Sequence, residues 1–204
     1  MKTQTFSTYL ILGFILLFSH NSRAAAEELQ APQRIIDDTS KILLAKLKEP
    51  GFIDNKAEIR MFVDKAIFPY VDTVRMSALV LGKHWRKASK EQKKRFIAAF
   101  KSLLVNTYSA TFTEQFNDWT IQYLPLKLKP SDKTTVVKTI VSQTGKADAK
   151  IDYSMVLRNE QWKIKDLKVE GISLVIGNRD VFNQMIRQYG SLEAVIVELE
   201  AKNS

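Results

Sequence analysis

The sequence contains no cysteine and only two histidines, His20 and His84. The first absence excludes disulfides, thiolate nucleophiles, iron–sulfur clusters and thiolate zinc sites, and the second removes most imidazole chemistry. Seven glycines and five prolines in 204 residues are too few for a collagen-like or low-complexity coil. Long apolar runs are missing as well. Residues 9–18 (YLILGFILLF) form a run of ten, half of the roughly 20 that a helix needs to cross hydrocarbon. What is present is ordinary globular material, 45% hydrophobic and 26% charged.

The short run follows a basic start, Met1-Lys2, and precedes Ser22-Arg23-Ala24-Ala25-Ala26. Small residues thus stand three before and directly before a cut after Ala24 or Ala26. This is the layout of a secretory signal peptide, so residues 1–26 are expected to be removed and residues 27–204 to form one exported, soluble domain. No cysteine follows the run, which excludes lipoprotein anchoring. Removing residues 1–26 takes away Lys2 and Arg23 and no acidic residue, so the formal charge falls from +9 to +7. Outside the cytoplasm, such a charge meets anionic lipid head groups and acidic protein surfaces rather than nucleic acid.

Apolar residues recur first at helical spacing. Ile35, Ile36, Ile42, Leu43 and Leu47 predict a helix that ends at Pro50-Gly51. Asp54 or Asn55 can cap a second, carrying Ile59, Phe62, Val63, Ala66 and Ile67 and stopping at Phe68-Pro69. Asp72 can cap a third, over 73–81, closed by Gly82. Ser89 and Gln92 have capping-box spacing ahead of a long helix with Phe96, Phe100, Leu103, Leu104 and Tyr108 on one stripe. After about Phe116 the period switches to two. Strands are predicted around Trp119, Ile121 and Tyr123, over 134–142, around Tyr153, Met155 and Leu157, and around Trp162 and Ile164. Asn159-Glu160 reads as a hairpin turn. A shift of apolar parity from Trp162/Ile164 to Leu167/Val169 predicts a bulge near Lys165-Asp166. A further strand over 172–176 and helices over about 180–188 and 192–202 complete an α+β domain: helices, a consecutive antiparallel sheet, then helices.

Catalytic groupings are scarce. His84 stands alone in the basic connection Gly82-Lys83-His84-Trp85-Arg86-Lys87. There is no metal-ligand cluster, P-loop, GxSxG elbow or GxGxxG loop. Asp37 and Asp38 diverge as helix neighbours, and Asp152 and Tyr153 point to opposite faces of a strand. An enzyme is not expected, and neither a metal nor a cofactor. The apolar stripes on helix and sheet fit either a dry core or the wall of a cavity for an apolar ligand, and periodicity is the same for both.

An ordered set of strings carries more. Phe68-Pro69-Tyr70-Val71-Asp72 is followed by Met76-Ser77-Ala78-Leu79-Val80-Leu81-Gly82, then by Trp85-Arg86-Lys87-Ala88-Ser89 with Gln92, Phe96, Phe100, Leu103 and Tyr108. Trp162-Lys163-Ile164-Lys165-Asp166 and Val169-Glu170-Gly171-Ile172-Ser173-Leu174-Val175 come later. In this order, over residues 32–202 and behind a signal peptide, they resemble the MlaC family of periplasmic phospholipid-binding proteins, also known as toluene-tolerance auxiliary proteins. The chain departs from the family mainly over 117–150. The resemblance implies a twisted antiparallel sheet wrapped by helices, an NTF2-like or cystatin-like architecture with an apolar lipid cavity between sheet and helices. It also implies a monomeric carrier that shuttles phospholipid between an outer-membrane lipoprotein–porin complex and an inner-membrane ABC transporter bearing an MCE-domain hexamer. On the family's strings, the lipid-lining candidates are Tyr70, Met76, Leu79, Val80, Phe100, Leu104, Tyr108, Ile172 and Val175. Strand alternation adds Ile121, Tyr153, Met155 and Val169. Partner-docking candidates are Lys83, Arg86 and Lys87 before the long helix, Lys127 and Lys129 near the start of the sheet, and Lys163, with Lys165 on the same strand face. Glu170, the odd acidic residue in a basic stretch, is expected by resemblance to make an oriented contact at the pocket edge. A periplasmic chaperone, or a binding protein for a fatty acid, solvent or isoprenoid, would share the same apolar wall.

Overall fold

The structure, a computed structural model, describes residues 28–114 and 119–203; the expected signal peptide lies outside the described residues. Helix α1 (Ala31–Leu47) carries Pro32 in its first turn and ends just before Pro50-Gly51. Gln33 fixes its start twice over: Oε1 accepts from Gln30 N at 2.8 Å, and Nε2 donates to Leu124 O at 3.0 Å. Of the two candidate caps for α2 (Lys56–Phe62), Asn55 is the one used, accepting from Glu58 N at 3.1 Å. The chain then widens into a π turn (Val63–Ile67) and tightens into a 3-10 turn (Phe68–Tyr70) around Pro69. Helix α3 (Thr73–Leu81) starts with Asp72 Oδ1 accepting from Arg75 N at 3.0 Å and ends at Gly82, whose φ of +52° suits a residue without Cβ. Lys83–Lys87, expected to be a plain connection, forms a short helix, α4. The long helix α5 (Lys90–Glu114) opens with the reciprocal Ser89–Gln92 bonds that the sequence predicts, both 3.1 Å.

Strands β1 (Thr120–Tyr123), β2 (Thr134–Ser142), β3 (Ala149–Arg158), β4 (Gln161–Val169) and β5 (Ile172–Ser173) pair in sequence order, all antiparallel. Asn159 and Glu160 both adopt positive φ (48° and 63°), the backbone of a type I′ hairpin. The bulge falls where the parity shift puts it: Met155 faces Ile164, Ser154 faces Asp166, and Lys165 is the unpaired residue between. That extra residue keeps Trp162, Ile164, Leu167 and Val169 on one face.

The strand expected over 172–176 is corrected to two residues, and the helix expected from 180 begins at Leu174 (α6, Leu174–Tyr189). Capping is the reason. Ser173 Oγ accepts from Ile176 N at 3.1 Å and donates to Asp166 Oδ2 at 2.7 Å, while Asp166 Oδ1 accepts from Val175 N at 3.1 Å. Two oxygens therefore satisfy amides at the helix start, and the apolar run Leu174-Val175-Ile176 is drawn into the helix despite its β propensity. Gly190, at φ +80°, separates α6 from α7 (Leu192–Asn203).

Two cores result. In the helical one, α3, α5, α6 and α7 bury Met76, Val80, Phe96, Phe100, Phe182, Val195 and Ile196. Its centre is an aromatic trio with ring centroids 5.1–5.8 Å apart: Phe182 sits edge-on to Phe96 and Phe100, which stack on each other. The other core lies under α1, where Ile36 packs with Val137, Met155 and Trp162 of the sheet. Outside the helical core, Arg95 of α5 clamps α7. It donates to both carboxylate oxygens of Glu200 (2.9 and 2.6 Å) and to Glu193, which also accepts from Gln92 at 3.1 Å.

These bonds hold the Glu193 and Glu200 carboxyls below the usual glutamate range; hydrogen bonds from Gln92 and Arg95 are the leading cause at Glu193, and those from Arg95 at Glu200. A carboxyl whose folded pKa is depressed contributes stability above its unfolded pKa and loses it as pH falls through the folded value. The thermal midpoint is therefore expected to drop as pH is taken below about 4.5, the ordinary glutamate value. In Arg95→Met the drop over the same window should be smaller; an unchanged pH dependence in that variant would remove the clamp from the account.

Candidate functional site

The register of the sheet assembles one continuous apolar face. Ile121 stands opposite Val141, and Tyr123 opposite Thr139; Val137 faces Tyr153, which faces Leu167; Ile151 faces Val169, which faces Ile172. Polar groups on this face are few and mostly turned inward. Thr139 Oγ1 donates to Ile151 O at 3.1 Å, leaving its methyl group to the face. Burial pushes the Tyr153 phenol up to about 12, partly opposed by the neighbouring Thr139 hydroxyl. Burial raises Tyr123 as well, with the Asp37 carboxylate adding to it. Both phenols are neutral at pH 7, so the face carries no charge. Tyr123 Oη is buried at the edge of this face, close to Asp37 and Ser40 of α1.

The apolar surface is graded from dry to wet. On the sheet it runs from Met155, fully buried, through half-buried Tyr153 and Ile151 to Val169 and Ile172, which are 44% and 74% exposed. On α5 a second track runs at i, i+4 spacing from buried Phe100 through half-buried Leu104 to Tyr108. Single exposed apolar residues are unremarkable in a soluble protein, but paired ones at the end of a continuous track form a patch. Two clefts also open at the surface. One, of about 520 Å³, lies between Gln30 and the β1–β2 connection and is lined by Leu126, Lys127, Leu128, Lys129 and Asp132. The other, of about 160 Å³, lies between the π turn and α5, near Asp64, Phe68 and Lys101. Among the described residues, no group of three or more acidic or histidine side chains could hold a metal ion.

The lipid-lining candidates fall into three places. Met76, Val80, Phe100 and Val175 are buried in the helical core, with Leu79 and Leu104 packed against it. Tyr153 and Met155 belong to the sheet face, with half-buried Ile121 at its β1 end. Tyr70, Tyr108, Val169 and Ile172 are exposed. Sequence reasoning left out Ile151, Val137 and Leu167, which share the face of Tyr153; strand alternation was the signal that could have found them. It also left out Ile36, whose place over the sheet depends on how α1 docks.

Of the docking candidates, Lys83, Arg86, Lys87, Lys127 and Lys129 are exposed and Lys163 is half-buried. The bulge takes Lys165 out of strict alternation with Lys163. Glu170 is already engaged. In the tight turn with Gly171 (φ 48° and 80°), its amide donates to Lys150 O at 2.9 Å and its carboxylate accepts from Lys150 N, closing the end of β3.

Among the described residues, no helix is long and apolar enough to cross a membrane. The family model described as "MlaC protein" matches residues 37–201. The toluene tolerance protein ttg2D of Pseudomonas putida is 26% identical over 165 residues, 79% of this chain and 76% of that protein. The intermembrane phospholipid transport system binding protein MlaC of Haemophilus influenzae is 22% identical over 176 residues, 82% and 79% of the two chains. Among solved structures, a phospholipid-binding protein from Ralstonia solanacearum, in complex with a phospholipid, superposes with a TM-score of 0.78 at 25% identity, covering 85% of this chain and 97% of its own. With a match that spans both the helical and the sheet halves, this chain belongs to the MlaC family.

Proposed function

We propose that this protein is a periplasmic phospholipid carrier, exported with its signal peptide removed after Ala24 or Ala26, which holds acyl chains against the apolar sheet face and the Leu104–Tyr108 track of α5 and leaves the head group in water. The observation that carries the reading is that face: uncharged, nearly free of hydrogen-bond demand, and continuous from a dry core to an exposed edge. Family membership and the likeness to a phospholipid-bound protein support it. At about 0.8 kcal/mol per methylene, two chains of about 15 methylenes represent roughly 24 kcal/mol gross. A carrier must nearly match the bilayer for those chains. Weaker binding stalls extraction and tighter binding stalls delivery, so an apolar wall without fixed polar anchors suits the task. No nucleophile or metal is required.

In this reading the carrier, a monomer, exchanges lipid with an inner-membrane ABC transporter bearing an MCE-domain hexamer and with an outer-membrane lipoprotein–porin complex. Exposed Lys83, Arg86 and Lys87 on α4 offer polar contacts that release quickly, as a shuttle requires. Purifying the exported protein, extracting it with organic solvent and identifying the extract by mass spectrometry tests the proposal. Intact two-chain phospholipid is the expected result. A fatty acid or isoprenoid would make it a binding protein for another ligand, lysophospholipid accumulating on incubation would make it an enzyme, and an empty extract would refute carriage.

A further inference from the structure

We infer that the face of the sheet opposite Tyr153 and Met155 is a docking surface for the anionic head groups of a phospholipid bilayer. The register puts Lys138, Asp152 and Lys168 in one cross-strand row, with Lys150 on the diagonal beside them. Lys163 lies further along the same face, and Arg158 at the hairpin end. Lys138 and Lys150 are exposed, and Val136, one position along β2 on this face, is 42% exposed.

The lysines on this face have no ion-pair partner among the described residues. Ion pairs among the described residues tie helices to themselves, to each other and to flanking turns; of the sheet's cations only Arg158 has a partner, Asp72 at 3.9 Å. Asp166 is used in capping α6 and Glu170 accepts from Lys150 N, so Asp152, between Lys138 and Lys168, is outnumbered by the lysines around it. A positive field therefore projects from this side of the molecule.

Composition decides what it fits. Specific protein interfaces are anchored by buried aromatic and arginine side chains and are depleted in lysine. Here the cations are lysines, apart from Arg158 at the tip, and none of the paired residues on the open part of the face is aromatic. Lysine is a flexible point charge without the fixed fork of arginine, and a flat array of such charges matches a diffuse anionic layer better than a set of oriented carboxylates. This inference does not need the carrier reading, because vesicle binding is measured separately from cargo and either can fail alone.

The test is co-sedimentation of the exported protein with vesicles of phosphatidylcholine, alone or with phosphatidylglycerol admixed. The protein is expected to bind the mixed vesicles and not the neutral ones, and to be released as salt rises. Lys138→Glu with Lys150→Glu should weaken binding by at least about tenfold, each lysine near an anionic surface contributing roughly fivefold. The milder pair Lys138→Gln with Lys150→Gln should lose a smaller share while melting like the wild type. Lys90→Glu with Lys94→Glu, exposed on α5 and equal in charge change, should bind nearly as the parent does. Equal loss in both Glu pairs would reduce the effect to net charge and overturn the inference. Failure to bind either vesicle would overturn it too, and would leave the face to an acidic protein or a second copy of this chain.

Discussion

Phe182→Ala is expected to lower the unfolding free energy by about 3–5 kcal/mol, the range for truncating a buried aromatic, while phospholipid still co-purifies with the folded fraction. Phe182 is 1% exposed and closes the aromatic trio with Phe96 and Phe100, joining α6 to α5. Its removal leaves a void surrounded by Met76 and Val80 of α3 and Val195 and Ile196 of α7, which are held on separate helices and cannot close in together. Most small domains hold only about 5–15 kcal/mol in total, so the loss should be plain in a denaturant titration read by circular dichroism. The same variant asks whether the helical core is separate from the lipid wall. Should the folded fraction lose its lipid, the two are one continuous site; a loss under about 1 kcal/mol would mean that the site collapses around the void.

Leu104→Glu is expected to do the reverse. Leu104 is half-buried on the α5 track, one turn beyond buried Phe100 and one before exposed Tyr108, so a carboxylate there can reach water when the protein is empty. Set against acyl chains it must be desolvated or neutralised, at a cost of several kcal/mol. Lipid retained per folded chain should therefore fall by at least about tenfold, which requires only 1.4 kcal/mol, with the melting temperature largely kept. Leu104→Met, similar in volume and still apolar, should retain the parent's lipid. Folded Leu104→Glu protein carrying a full complement of lipid would place the cargo elsewhere. Together with Phe182→Ala, the pair of variants separates what holds the fold from what holds the ligand.

Residues alone determined the helix starts at Asp72 and Ser89, a start at Asp54 or Asn55, the Asn159-Glu160 hairpin, the bulge near Lys165-Asp166 and the sequential antiparallel sheet. Each is a local device: a side chain reaching an amide three residues on, a turn with positive φ, a change of parity along one strand. Helix α6 starts at Leu174, ahead of the expected 180, because its cap is half non-local. Ser173 could be read in place, but Asp166, seven residues back on β4, supplies the second oxygen only once the β4–β5 turn has folded. The same limit governs the site. Met76 and Tyr153 are equally apolar in pattern, yet one is buried among helices and the other lies on the sheet face. The resemblance implies an oriented contact for Glu170 at the pocket edge, and the pairing of β3 with the β4–β5 turn fastens its carboxylate to Lys150 N. Spacing along the chain fixes which face a side chain takes on its own element. What that face meets depends on docking between elements far apart in sequence, and only the tertiary structure decides it.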